Sequence, residues 1–217
     1  MDKEKVVEAI QSLRKEGTKR NFSQSIDLIV NFRDLDLKKP EHQLDFFATL
    51  PHSTGKKAKI GVFAGPELEP EAKKVADTVV TAEEFSRYQK DKKLTKRLAV
   101  EHKFFIAQAT VMPDVAKTFG RVLGPRGKMP NPKAGCVVPP KAQLQPLYNR
   151  LQLTTKVQFK NAPIIQLAVG SEAMKDEDIA DNVVSIYNQL VSHLPSQQNN
   201  IKSAYLKLTM SSPVRIN

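Results

Sequence analysis

The chain has no tryptophan, one cysteine and four histidines in 217 residues. The lone Cys136 excludes an internal disulfide and a cysteine-based structural zinc site, and fits a reducing cytoplasm. His42, His52, His102 and His193 are scattered without metal-ligand spacing, so no metal and no cofactor is expected. No uninterrupted apolar run approaches the roughly 20 residues that cross a bilayer, which argues against a membrane partner. The opening Met-Asp-Lys-Glu-Lys lacks the apolar core of a signal peptide and reads directly as an amphipathic helix. Neither G-x-S-x-G nor H-E-x-x-H occurs, and no G-x-G-x-x-G follows a strand. Acidic charge is also scarce: 34 Lys and Arg face 23 Asp and Glu, a net charge of +11. That excess favours a nucleic acid or another polyanion as partner. Hydrophobic content of 40% is ordinary and allows a buried core.

What is present is organised by periodicity. Val6, Val7, Ile10 and Leu13 recur at helical spacing, which predicts a helix over 3–16 ended by Gly17. Residues 25–32 alternate, with Ile26, Leu28, Val30 and Phe32 on one face, and 44–50 alternate likewise. Pro40 falls in a polar connection between them. The polar stretch 51–57 then marks a boundary. Beyond it, short apolar runs at 59–64, 78–80 and 104–109 predict strands buried on both faces, as in a parallel sheet. Helices are predicted over 70–76, 82–89, 94–101, 113–119 and 145–151, with Pro70 and Pro113 at first helical positions. Alternation returns at 156–160 and 164–169. Asp176 reads as the N-cap of a helix reaching about 194. Residues 203–210 alternate, with Ala204, Leu206, Leu208 and Met210 inward and Ser203, Tyr205, Lys207 and Thr209 outward. The pattern predicts a two-domain α/β protein. Residues 1–53 and 155–217 form a discontinuous domain, and 54–154 an inserted α/β domain. Ser53, Gly55 and Thr155 lie at the two crossings, where they would act as hinges.

The densest feature is Gly120-Arg-Val-Leu-Gly-Pro-Arg-Gly-Lys-Met-Pro-Asn-Pro-Lys-Ala-Gly135. Four of nine glycines and three of fourteen prolines fall in this run. Gly permits φ > 0 and Pro fixes φ, so the run predicts a long, shaped loop. Arg121, Arg126, Lys128 and Lys133 give it positive charge with no acidic residue. It reads either as a polyanion contact or as a solvated basic loop. Gly124-Pro-Arg-Gly-Lys128 suggests a phosphate cradle and hence a nucleotide-binding Rossmann-type enzyme. Walker A, however, needs Gly at position 122, which is Val, and Ser or Thr at 129, which is Met.

This run resembles the signature of the ribosomal protein L-one family, found in the mobile stalk beside the tRNA exit site of the large ribosomal subunit. The resemblance extends through Phe22-Ser-Gln-Ser-Ile-Asp27, Leu50-Pro-His52 with Gly55-Lys56, Leu208-Thr-Met210 and Pro213-Val-Arg-Ile-Asn217. The wording of 90–97 and 104–109 looks archaeal. The resemblance implies a split α/β plait with an inserted Rossmann-like α/β/α domain and no enzymatic activity. It implies binding to large-subunit rRNA by the start of the first strand and the end of the last. Carried over, those are Phe22, Ser25 and Asp27 with Thr209, Met210 and Ser211, and Lys19, Arg20, Lys160 and Lys207 nearby for phosphate. Thr209 could engage a ribose 2′-OH, and Phe22 and Met210 offer apolar surface to ribose and base. Each also has a plain structural reading: core packing for Phe22 and Met210, strand surface for Ser25 and Thr209, an ion pair for Asp27. The family's glycine after Thr-Met is Ser211 here, which puts close RNA approach in doubt at that point. The loop cations Arg121, Arg126, Lys128 and Lys133 would face exit-site tRNA or further rRNA, or else the loop packs the two domains together. The resemblance further implies a role in releasing deacylated tRNA, translational repression through the chain's own mRNA, and a free monomer.

Overall fold

The computed structural model describes residues 1–17, 20–36, 39, 42–159 and 162–216. In chain order the elements are α1 (Lys3–Glu16), β1 (Ser25–Phe32), β2 (Asp45–Thr49), β3 (Ile60–Ala64), α2 (Glu69–Val75), β4 (Thr78–Thr81), α3 (Phe85–Lys90), α4 (Lys92–Glu101), β5 (Phe104–Gln108), α5 (Met112–Leu123), β6 (Val137–Val138), α6 (Leu144–Gln152), β7 (Thr154–Gln158), β8 (Ile164–Ser171), α7 (Asp176–His193), β9 (Ile201–Leu208) and β10 (Val214–Arg215). The chain forms two compact units, Met1–Lys57 with Leu153–Asn217, and Ala58–Gln152.

The first unit rests on an antiparallel sheet in the order β10-β9-β1-β8. Strict alternation along β1 sends Ile26, Leu28, Val30 and Phe32 into the core. Across β9 they meet Leu208, Leu206 and Ala204, which face the same way. α1 and α7 cover that face with Val6, Ile10, Leu13, Ile179, Val183, Ile186 and Leu190 in one cluster. Ser25, Asp27, Ile29 and Asn31 point to the other, half-exposed face, opposite Lys207, Tyr205 and Ser203. A separate antiparallel pair joins β2 to β7.

The second unit is a parallel sheet in the order β4-β3-β5-β6. β3 and β5 are buried at every position, as expected of strands covered on both faces. α3, α4 and α5 contribute Phe85, Leu98, Val115, Phe119 and Leu123 to one aromatic-rich cluster with Phe63 and Phe105. α2 packs with α6. The mixed α/β class expected from the sequence is therefore the class observed.

Three expectations need correction. The Gly/Pro loop does not begin at Gly120: α5 runs on to Leu123, because Val115, Phe119 and Leu123 repeat at four-residue spacing and are each fully buried. Asp176 is the first helical residue of α7 and makes no cap; Lys175 is the N-cap, and the Asp176 carboxylate lies 2.7 Å from Arg14 Nε. Met210 does not point inward: β9 ends at Leu208, a turn follows, and Met210 is 59% exposed. Of the two readings open for Phe22, core packing is removed by its 51% exposure. Pro40 lies outside the described residues.

Phe63 contacts the rings of Phe85, Phe105 and Phe119 at centroid distances of 6.0, 5.3 and 4.7 Å. Phe63→Ala is expected to destabilise the second unit by about 3–5 kcal/mol. Amide hydrogen exchange should show lost protection in β3 and β5 with β1 unchanged; equal loss in both units would contradict the division.

Candidate nucleic-acid interface

The interface is built where the start of β1 meets the ends of β9 and β8. Because β1 is central, its first residues can be bonded from both sides. On one side the Thr209 N–H donates to the Ser25 carbonyl, and the Thr209 hydroxyl oxygen accepts the Ser25 N–H, each at 3.1 Å. The Met210 N–H donates to Gln24 Oε1 at 3.1 Å. On the other side the Glu172 N–H donates to the Gln24 carbonyl at 2.9 Å, and Ser23 and Ser171 hydroxyls lie 2.9 Å apart. Gln24 is buried, so these bonds fix the edge from beneath. The Arg14 guanidinium underpins the turn after β8, donating to the carbonyls of Glu172 (2.8 Å) and Met174 (2.6 Å).

Phe22, two residues before Gln24, and Met210, bonded to Gln24 through its N–H, are the two large exposed apolar side chains of this unit's described residues. Arg20, Asn21, Phe22 and Ser23 line an open depression against Glu172 and Ala173. Ser25 Oγ accepts a hydrogen bond from Lys56 Nζ at 2.9 Å. Lys207 Nζ folds over the end of β9, donating to the carbonyls of Leu208 (3.0 Å) and Thr209 (2.7 Å). Asp27 sits opposite Lys207 in the ladder, beside a bulge between Ile26 and Asp27. Ser211 is used locally: its hydroxyl oxygen accepts the Leu208 N–H, and its proton goes to the Ser212 carbonyl, both at 3.0 Å. This residue closes the turn with its side chain.

The structure thus brings Phe22, Ser25, Asp27, Thr209, Met210, Ser211 and Lys207 to one end of one sheet, with Arg20 in the adjoining depression. Lys19 and Lys160 lie outside the described residues. Sequence reasoning missed Lys56, Gln24 and Arg14. Lys56 stands in the polar crossing stretch, and nothing local ties it to Ser25, 31 residues earlier. Gly55 has φ +78°, and a Cβ there would lie 2.8 Å from Ser171 Cβ, so this position needs glycine. The predicted hinge residues Ser53, Gly55 and Thr155 all belong to the first unit. Thr155 is paired with Ala48, which holds it in a strand. The chain leaves that unit after Lys57 and returns at Leu153. At the second unit's end of these crossings, the Gln152 side-chain amide accepts the Ala58 N–H (2.8 Å) and donates to the Ala58 carbonyl (2.7 Å).

The loop cations divide. Lys128 Nζ donates to the carbonyls of Ala99 and His102, both at 2.7 Å, capping the C-terminus of α4. Its partial burial, with Arg126 nearby, lowers its pKa from the usual lysine value. Arg126 bonds the Val122 carbonyl at 3.1 Å but stays exposed, as does Lys133. Arg121 projects from the last turn of α5. Gly127 and Gly135 adopt φ +64° and +74°, which shape the loop as the glycines suggested. Burial pushes the Cys136 thiol up to about 11, which makes it an inert packing group and not a nucleophile.

The arrangement defines a discontinuous α/β module with an inserted parallel-sheet unit and a polar, cation-rimmed strand edge. The family model described as "Ribosomal protein L1p/L10e family" matches residues 13–212, and the chain belongs to that family. Similar proteins are named "Large ribosomal subunit protein uL1". That of Methanothermococcus thermolithotrophicus is 43% identical over 216 residues, covering 100% of this chain and 99% of the relative. That of Methanobrevibacter smithii is 44% identical, covering 98% and 99%. That of Thermococcus kodakarensis is 37% identical, covering 99% and 98%. The chain is an archaeal-type member of a family of ribosomal proteins, not of enzymes.

Lys128→Met is expected to destabilise the second unit by about 1.5–3 kcal/mol, the range for hydrogen bonds to a charged group. Thermal unfolding and RNA binding, measured together, check it. A variant that keeps wild-type stability but loses RNA affinity would contradict the capping role.

Proposed function

We propose that the chain is a constituent of the large ribosomal subunit, in the cytoplasm, and binds large-subunit rRNA at the mobile stalk through the joined ends of β1, β8 and β9. One observation carries this reading: exposed Phe22 and Met210 lie in the segments joined by the Ser25–Thr209 hydrogen bonds, with Lys56 and Lys207 bonded to the same residues. Apolar faces for ribose and bases, hydroxyls for 2′-OH groups and ammonium groups for phosphates are the chemistry of structured RNA recognition. The hydroxyls of Ser25 and Thr209 are already held by protein partners, so they are preorganised and lose little freedom on binding.

In this reading the first unit anchors the chain as a monomer. The inserted unit moves on the two crossings, clasped where Gln152 meets Ala58, and follows departure of deacylated tRNA from the exit site. The same anchoring edge serves a mimic of the stalk in the chain's own mRNA, giving translational repression. The support for these two roles is the family resemblance together with a single strand edge able to take either RNA.

The rival reading, a nucleotide-binding Rossmann-type enzyme, meets a physical obstacle. In the order β4-β3-β5-β6 the ligand crevice would open beyond the ends of β3 and β5. Buried Gln108 fills that position: its Oε1 accepts the Gly65 N–H at 2.8 Å, spending the amide a phosphate would need.

Salt-titrated binding to a stalk rRNA fragment, against an unrelated RNA duplex, tests the anchor. Phe22→Ala is expected to weaken fragment binding by about tenfold with the salt slope unchanged, as for loss of one stacked base. Lys56→Gln is expected to lower the slope by about one. Equal affinity of wild type for fragment and duplex, with both variants unchanged beyond charge, would overturn the assignment.

A further inference from the structure

The second unit carries a cleft of about 430 Å³ between α3, α4 and α5, away from the strand edge in sequence and in element. Its cations come in two rows. Lys92 and Lys96 are one turn apart on α4, and Lys117 and Arg121 one turn apart on α5. Side chains at that spacing share a helix face, about 6 Å apart. No acidic residue lines the cleft. The nearby acids are occupied: Asp91 accepts the Lys93 and Leu94 N–H groups as the cap of α4, and Glu84 accepts the Thr81 N–H. Asp114 stands 3.8 Å from Lys117. Among the described residues, Lys92, Lys96 and Arg121 have no ion-pair partner, although the same unit pairs Lys73 with Glu69 and Arg97 with Glu101.

The cleft is also rigid. The buried Thr95 hydroxyl lies 2.8 Å from the Tyr88 carbonyl and 3.2 Å from the Asp91 carbonyl, tying the end of α3 to the start of α4. The Tyr88 ring, half-buried in the lining, is backed by Phe119 at 5.5 Å. Lys128 holds the other end of α4. Fixed walls hold exposed cations around one space, where a polyanion would find complementary charge.

We propose that this cleft is a second RNA-binding site, in which Lys92, Lys96, Lys117 and Arg121 hold the phosphate backbone of an RNA strand distinct from the one on the strand edge. The inference rests on the RNA-anchoring reading above. It moves Arg121 from the Gly/Pro loop to a helix-built site. The contacts are to phosphate, so the cleft selects for backbone charge and shape, not base sequence. The Tyr88 ring adds an apolar surface for a ribose or base.

The test loads the full chain with saturating stalk rRNA fragment and then titrates a labelled, unrelated folded RNA into the preformed complex. The variants are the cleft triple K92Q/K96Q/R121Q and the control triple K73Q/K74Q/K141Q. The control changes the net charge equally on exposed residues outside the cleft lining. Wild type and control are expected to form the ternary complex. The cleft triple is expected to weaken it by about tenfold or more and to lower its salt slope by about 2 to 3, with fragment binding unchanged. If both triples weaken the ternary complex equally, the cleft is only part of a diffuse basic surface and the proposal fails. If no second RNA binds the wild-type complex, it also fails. Failure of the first RNA to bind at all would instead strike the anchoring reading. Thermal melts of both triples control for folding.

Discussion

The candidate interface depends on one strand being paired along both edges. β1 lies between β9 and β8, and its first residues are bonded to chain that follows nearly the whole remaining sequence. Ser25 and Thr209 are 184 positions apart, yet each gives and receives a hydrogen bond with the other. A second, inserted unit has to fold between them without disturbing the pairing. The short clasp of Gln152 on Ala58 keeps the outgoing and returning chain adjacent where that unit begins and ends. The strand edge is thereby a product of closure of the whole first unit, and its apolar groups can remain exposed because the core beneath is complete without them.

Positive charge in this chain serves different purposes. Lys128 is absorbed as a helix cap, and Arg14 braces a turn under the strand edge. Lys56 and Lys207 are partly committed: Lys56 holds one oxygen of the candidate interface and Lys207 two, which leaves two N–H groups on Lys56 and one on Lys207 for a ligand. Lys92, Lys96 and Arg121 keep their charge open to solvent. A net charge of +11 read from composition cannot separate these classes, since the separation is made by which carbonyls and carboxylates the fold brings near.

Much of the architecture was legible because it is periodic. The alternation in β1 and the helical repeat in α7 each bury one face as their spacing requires. The buried strands β3 and β5 announced a parallel sheet by lacking alternation. Errors came where a period ended or was overridden. Met210 continued the alternation of β9 on paper, but the strand stops two residues earlier. Gly120 looked like the start of a loop, yet its lack of a side chain cost less than leaving Leu123 out of the core. β6 and β10, two residues each, are too short to carry any period. The contacts of Lys56 with Ser25 and of Lys128 with α4 join residues far apart in sequence and have no local signature. The family resemblance, not periodicity, singled out Thr209 and Met210.

The most direct measurement is amide hydrogen exchange of the full chain, free and saturated with a stalk rRNA fragment. New protection is expected over residues 20–27, 171–174 and 207–212, three segments united only by the pairing of β1. New protection confined to the second unit, with these three segments unchanged, would contradict it.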